Sequence, residues 1–337
     1  MSNMSTPNLF FLVSLSAFLA TFLGTKILIR KVGFLRLKKP LDSKVFFGQD
    51  MAKPGTVFVP TIGGLAITFG FIFAVLLSLK FIDKTSVVSL LAALVTTLMV
   101  SIIGFLDDIF IVRRIWRLIL PGIAALPLVI IESGSPKIHL LGSDIILGDF
   151  YRYLLIPLGV IACANLINIL AGFNGLEAGS GGIACVSVFI ASAILMKLEP
   201  QKYTLSTPLL MLAMTGACVA FLIFNWCPAK IFPGNIGTYV IGAAIASAVI
   251  IGDMEKVGMI ALTPQIIEFL LKLRGRLKVG NFGVLINGSL GHSGKVSSLT
   301  HLFMKYTKVN EKGLVLYLLG FQALAGIIAV WSVFWYR

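Results

Sequence analysis

Residues 86–110 read SVVSLLAALVTTLMVSIIGFLDDIF. About twenty uncharged, mostly apolar residues run straight into two adjacent carboxylates, Asp107 and Asp108. A hydrocarbon core about 30 Å thick takes about 20 apolar residues per helical crossing, so the stretch has the length of one membrane span. A carboxylate at the end of a span costs free energy unless water, a counter-charge or a metal receives it. The run therefore fixes the solvent as lipid and marks its own edge as a place where polar groups are used.

Working outward, the rest of the chain has the same character. Of 337 residues, 58% are hydrophobic and 12% charged, against about 25% charged in an ordinary soluble domain. Windows of about 19 residues predict an all-α polytopic membrane protein, a single domain over residues 1–337. The windows give about ten spans, centred near residues 18, 70, 96, 124, 161, 188, 214, 242, 265 and 324. The first run, Leu9 to Ile29, lacks the basic start and the small-residue cleavage site of a signal peptide, and reads as a retained span. Cys163, Cys185, Cys218 and Cys227 lie in or beside apolar segments without secreted-domain spacing, and read as reduced packing residues.

An even number of spans puts both termini on one side. The odd-numbered loops hold nineteen of the 28 Lys and Arg, seven between Arg30 and Lys53 and eight between Lys272 and Lys312, so positive-inside bias places those loops in the cytoplasm and both termini outside. The net charge of +14 is spread over separate membrane-flanking loops. It reads as topology and attraction to anionic lipid rather than nucleic-acid binding. On the outer side, SGSPKIHLLGSDIILGDF (133–150) flanks short apolar alternations with turn residues and predicts a small β-hairpin.

Five polar clusters stand out, and every one falls in an odd-numbered loop. The Asp107-Asp108 pair is either functional or merely paired with Arg113 and Arg114. In ANLINILAGFNGLEAGSGG (164–182), Asn165 and Asn168 share a helix face and precede Asn174, Gly175 and Glu177 in a glycine-rich turn suited to close approach by a ligand. Amides inside a span also serve as interhelical glue. Gly234 and Gly237 around Asn235 suit either a phosphate-cradling helix start or a plain interhelical turn. The first loop adds Asp50 and Lys53 before the Pro-Thr-Ile-Gly-Gly entry to the second span, and the ninth adds Arg274, Arg276, Lys278, His292, Lys295 and His301 without zinc-like spacing. Carboxylates for a divalent cation, amides and glycines for a diphosphate, and basic groups for phosphates are what phosphoryl transfer at a membrane surface requires. A transporter or channel instead needs charges along a path across the bilayer, and the spans centred near 188, 242 and 324 have none at their midpoints.

In the order GQDMAK (48–53), PTIGG (60–64), GFLDDI (104–109), NILAGFNGLEAG (168–179) and FNWCPAKIFPGN (224–235), the chain resembles the polyprenyl-phosphate N-acetylhexosamine 1-phosphate transferase superfamily. The long fourth motif is most similar to its archaeal and eukaryotic dolichyl-phosphate branch, of glycosyltransferase family 4 type. The Asp-Gly-x-Asp-Gly version and histidine triplet of the bacterial muramoyl-pentapeptide branch are absent. The resemblance implies cytoplasmic catalysis in an archaeal cell membrane, or in the endoplasmic reticulum if the source is eukaryotic. It implies UDP-N-acetylglucosamine as donor, dolichyl or another polyprenyl phosphate as acceptor, Mg²⁺ or Mn²⁺ as cofactor and UMP as leaving group, as in the first membrane step of N-glycosylation-type glycan assembly. It implies membrane lipid as surroundings, no nucleic acid, and leaves a homodimer open.

Carried over by motif position, Asp107 and Asp108 place or deprotonate the acceptor phosphate, with Arg117 standing where a lysine is usual. Asn168 falls near the metal and diphosphate, and Asn235 matches an aspartate that binds Mg²⁺ in relatives. An Asn there ligates through its carbonyl oxygen without adding charge, which predicts weaker cation binding. Asn174, Gly175 and Glu177 line the nucleotide side, while Gln49, Asp50, Lys53 and Asn165 are further substrate-binding candidates. The sugar-binding motif of the ninth loop is not recognisable, and Arg276 and His292 stand for it by position alone. A different UDP-N-acetylhexosamine donor and a non-catalytic family member are the remaining alternatives.

Overall fold

The computed structural model describes residues 4–38, 47–49, 58–110, 112–140, 143–276, 280–286 and 289–336. The chain is a helical bundle. In order it forms α1 (Thr6–Lys38), α2 (Gly64–Ser78), α3 (Lys84–Phe110), α4 (Arg114–Ala124), α5 (Leu126–Ile130), α6 (Ile156–Ile169), α7 (Leu176–Leu198), α8 (Ser206–Asn225), α9 (Gly234–Ile251), α10 (Glu255–Ala261), α11 (Thr263–Arg274), α12 (Leu299–Tyr306) and α13 (Glu311–Trp331).

Among the described residues, eight helical segments are long and apolar enough to cross a membrane. The spans expected near 124 and 265 are the two that differ, because each is a broken pair. The first is α4 with α5, carrying Pro121 inside α4 and Pro127 at the start of α5; the second is α10 with α11, where Pro264 opens α11. Proline removes a backbone donor and suits a helix start better than its interior, so an apolar window that looks continuous in composition divides at these points.

Among the described residues, three antiparallel ribbons accompany the helices: β1 (Phe47–Gln49) with β2 (Phe58–Pro60), β3 (Lys137–Leu140) with β4 (Ser143–Ile146), and β5 (Val284–Ile286) with β6 (Ser289–Gly291). The β3–β4 hairpin is the one expected from its turn residues.

The core is centred on α9, whose residues Ile236–Ile250 are all buried. Its sequence GNIGTYVIGAAIASAVII is rich in small residues, which let helices approach where lipid supplies no hydrophobic drive for association. A Cβ on Gly242 would lie 2.2 Å from the Cys163 carbonyl oxygen of α6, and one on Gly64 would lie 2.1 Å from the Gly237 backbone nitrogen of α9. Cys185 and Cys218 are buried free thiols in the apolar core, as expected of packing residues. Because successive helices alternate in direction, the C-terminal ends of α3, α6, α8 and α11 and the N-terminal ends of α2, α7, α9 and α13 fall at one end of the bundle, the end where the polar clusters meet.

Gly242→Ala should overpack the α6–α9 contact at a cost of about 1–3 kcal/mol, seen as a lower thermal unfolding midpoint in detergent. Gly320→Ala, whose added Cβ meets nothing within 4 Å, should leave the midpoint unchanged or slightly higher.

Candidate active site

The site begins where α3 ends. Asp107 is buried, 3% exposed, and its Oδ1 accepts from the Val112 N–H at 3.0 Å and pairs with the Arg117 guanidinium at 2.9 Å. Arg117 also donates through Nε to the Val112 carbonyl at 3.0 Å, so one side chain stitches the turn between α3 and α4 closed. Of the arginines that follow the carboxylates, it is thus Arg117 that pairs with Asp107. Fully buried Tyr239 of α9 lies near Asp107.

Asp108 points to α9 instead. Its Oδ1 accepts from the Asn235 N–H at 3.0 Å and its Oδ2 from the Ile236 N–H at 3.3 Å. The first N–H groups of a helix have no partner within it, and a carboxylate there also complements the positive end of the helix dipole. Gly234 makes room: its φ is +65°, and a Cβ would stand 2.6 Å from Asp108 Oδ2 and 2.1 Å from the Thr61 carbonyl oxygen. Backbone bonds from Gly63 to Phe232 (3.0 Å), Gly64 to Pro233 (2.8 Å) and Phe232 to Pro60 (2.7 Å) lock the Pro-Thr-Ile-Gly-Gly segment against the segment before α9. Three motifs distant in sequence thereby become one surface.

Asn168 joins that surface through its Oδ1, which accepts from Thr238 Oγ1 at 3.2 Å, while the same hydroxyl lies 3.2 Å from the Asn235 carbonyl oxygen. Asn165, one turn earlier, looks toward α4: its Nδ2 donates to the Ile161 carbonyl at 2.8 Å and reaches the Arg117 carbonyl at 3.4 Å. The two amides that share a face of α6 thus serve different neighbours.

The turn between α6 and α7 is held from several sides. Glu177 is buried and its Oε1 accepts from the Gly172 N–H at 2.9 Å; buried Asn174 gives its backbone N–H to Glu311 of α13 at 2.9 Å. Gly175 caps α7 with φ +87°, and a Cβ there would lie 2.8 Å from the Trp226 ring. In this conformation Glu177 and Asn174 shape the turn from inside. The segment from 280 packs over it, with Phe282 against Gly172 and tilted onto Phe173 at 5.6 Å. Farther along, the His292 and His301 rings stack 3.8 Å apart. Burial, then the neighbouring His292, hold His301 below the usual histidine pKa range. Arg276 is exposed, with φ +53°. Gln49 ends β1, paired with Phe58; Asp50, Lys53 and Lys278 lie outside the described residues.

Sequence reasoning missed Thr238, Tyr239 and Glu311, and with them Glu268, Lys272 and Asn281. A detectable signal existed for one pair: Glu268 and Lys272 are four residues apart in an otherwise apolar stretch, a spacing that brings helix side chains together.

For a divalent cation, the relevant donors are all hard oxygens: the Asp108 carboxylate, which caps the first turn of α9, the Asn168 amide oxygen, which accepts from Thr238 of that helix, and the amide of Asn235 in the same turn. Each Asp108 oxygen, bonded to one N–H, keeps accepting capacity. Among the described residues no three His, Cys, Asp or Glu side chains form a metal cluster. A sparse oxygen set fits a cation such as Mg²⁺, which commonly takes one or two carboxylates and fills its shell with water and substrate phosphates.

A membrane-spanning bundle that collects two carboxylates, an arginine and several amides at one end has the layout of a polytopic membrane enzyme. Residues 90–253 match the family described as glycosyl transferase family 4. The chain is 38% identical over 288 residues to a provisionally named UDP-N-acetylglucosamine–dolichyl-phosphate N-acetylglucosaminephosphotransferase of Saccharolobus solfataricus, covering 85% of this chain and 87% of that one. A similarly named protein of Sulfolobus acidocaldarius is 33% identical, with the same coverages of 85% and 87%. The enzyme of that name from Dictyostelium discoideum is 30% identical over 70% of this chain and 66% of its own. The chain belongs to glycosyl transferase family 4.

Arg117→Met should leave the buried Asp107 charge without its cation, a change that costs about 3–5 kcal/mol when a buried pair is broken; the readout is a lowered unfolding midpoint. Arg117→Lys should keep the charge but lose the second bond to Val112, giving an intermediate midpoint.

Proposed function

We propose that this chain transfers N-acetylglucosamine 1-phosphate from UDP-N-acetylglucosamine to dolichyl or another polyprenyl phosphate, forming the polyprenyl diphosphate sugar and releasing UMP. The observation that carries the reading is the convergence of the GFLDDI, NILAGFNGLEAG and FPGN motifs at the start of α9, where Asp108 accepts from the Asn235 and Ile236 backbone N–H groups and Asn168 accepts from Thr238, in a chain whose relatives bear that activity in their names.

A phosphate oxygen of the acceptor attacks the β-phosphorus, the one bearing the sugar, and the bond from that phosphorus to the bridging oxygen breaks. The bridging oxygen leaves with UMP. With a doubly ionised acceptor no net proton is released, and a phosphate monoester has its second pKa near 6, so the acceptor arrives largely deprotonated at neutral pH. Holding it in line then matters more than removing a proton. Asp107 and Asp108 orient the acceptor, and Arg117, 31% exposed along its side chain, offers a cation to its phosphate. Asn174, Gly175 and Glu177 form the nucleotide side of the pocket, with Gln49, Asp50, Lys53 and Asn165 as additional substrate contacts and Arg276 and His292 on the sugar side. Asn168, Asn235 and Asp108 would hold a divalent cation, Mg²⁺ or Mn²⁺, which when bound would supply charge neutralisation to the diphosphate. The positive bias of the odd loops puts this end in the cytoplasm, where nucleotide sugars are soluble, and puts both termini outside. The acceptor enters from the bilayer between helices.

In purified, detergent-solubilised protein, Asp107→Asn and Asp108→Asn should each abolish divalent-cation-dependent UMP release from UDP-N-acetylglucosamine and polyprenyl phosphate. Wild-type turnover in both variants would refute the role given to the pair. Chelation should stop the reaction, and Mg²⁺ should restore it. A panel of UDP-N-acetylhexosamines in the same assay should show the highest turnover with the N-acetylglucosamine donor; equal rates with other sugars would remove that specificity.

A further inference from the structure

The end of α6 is gripped by a buried polar network that the chemistry above does not use. The Ile169 carbonyl, immediately after Asn168, accepts from Lys272 Nζ at 2.6 Å and from Asn281 Nδ2 at 3.2 Å; the same Nδ2 donates to the Ala171 carbonyl at 2.6 Å. The last carbonyls of a helix have no intrahelical donor, and a cation there complements the negative end of the helix dipole. Lys272 belongs to α11 and is only 12% exposed, and its second partner is the fully buried Glu268, at 3.3 Å. Glu268 reaches on to the start of α12, accepting from Ser298 Oγ at 3.0 Å and the Leu299 N–H at 2.7 Å. Thr300 Oγ1 closes the ring by donating to the Asn281 carbonyl at 2.6 Å.

Two loops far apart in sequence are therefore joined through one buried ion pair. One runs from Asn168 to Gly175; the other runs from Asn281 to Thr300 and carries the His292 ring. Burying an ammonium and a carboxylate costs several kcal/mol per ion before their attraction offsets it. A purely apolar contact would hold the helices together without that cost. What the charged link adds is direction, since it specifies where the Ile169 carbonyl sits and, one residue earlier, where the Asn168 amide points.

We infer that Lys272, with Asn281 beside it, is a positioning residue for the nucleotide-sugar donor: it clamps the end of α6 to the loop between α11 and α12, so that both walls of the donor pocket are set together. The inference rests on the transfer reaction proposed above and concerns the donor half of its site. In this role Lys272 acts through the Ile169 carbonyl rather than on a substrate, and the acceptor side, built on Asp107 and Arg117, is held by the turn between α3 and α4.

The test is steady-state kinetics of the full-length protein in detergent, with KM determined separately for UDP-N-acetylglucosamine and polyprenyl phosphate, alongside thermal unfolding with and without UDP. Lys272→Met should raise the donor KM about tenfold, the scale of one lost charge-assisted hydrogen bond. The acceptor KM should stay unchanged, and UDP, expected to raise the unfolding midpoint of the wild type, should raise that of the variant less at the same concentration. Asn281→Ala should shift the donor KM in the same direction and keeps the question answerable if the Lys272 variant does not fold. The double variant Glu268→Gln/Lys272→Met removes both buried charges, so its unfolding midpoint should recover toward wild type while its donor KM stays high. Recovery of both would show that the pair only balances charge, and overturn the inference. So would a wild-type donor KM in Lys272→Met and Asn281→Ala, or an equal rise in both substrates' KM. If the wild type itself releases no UMP, the transfer reading fails and takes this inference with it; an active wild type with unaffected variants leaves that reading standing and removes only the clamp.

Discussion

The first N–H groups of a helix have no partner within it, and in this chain the Asp108 carboxylate takes two of them from the first turn of α9. Much of the arrangement depends on that contact. It ties the end of α3 to the start of the central helix, requires a residue without a side chain at Gly234, and brings the Pro-Thr-Ile-Gly-Gly entry of α2 within backbone hydrogen-bonding distance of the same turn. Asp107, the adjacent residue, turns the other way to Arg117. Two neighbouring carboxylates are kept apart in role because one faces a helix dipole and the other a guanidinium.

The same constraint explains why the site lies at helix ends. Irregular backbone at membrane depth is tolerated only where protein groups satisfy it, and the turn from Ile169 to Gly175 draws its partners from α7, α11, α13 and the segment after α11. Glu177, Glu311, Lys272 and Asn281 all spend hydrogen-bonding capacity on main-chain groups of this one turn. A polar turn so widely anchored presents its outward atoms in a set geometry. Catalysis that relies on holding two phosphates in line, rather than on a strong base, gains directly from such pre-organisation.

The broken helices contribute to the same end. Breaks at Ala125 and Leu262 divide two apolar segments into pairs of shorter helices, and α11, the second half of one pair, carries both Glu268 and Lys272 toward the site. In the other pair, α4 carries Arg117. Both charged anchors thus ride on short helices whose direction a proline-marked break can set apart from the long spans around them.

From residue order alone, the membrane character, nearly all the helical segments, the β3–β4 hairpin and the polar motifs that meet at one end of the bundle were legible, because hydrophobic length and turn residues are local properties of the chain. The family motifs also marked Asp107, Asp108, Asn168 and Asn235 as neighbours. Which group each would meet was not legible. Asp107 pairs with Arg117, Asn165 and Asn168 serve different helices, Glu177 turns inward to Gly172, and Lys272 reaches across about a hundred residues of sequence to Ile169. Those partnerships follow from where helix ends stop relative to one another. Small-residue packing around α9 sets those positions, and only the folded bundle decides which buried donor lies opposite which acceptor.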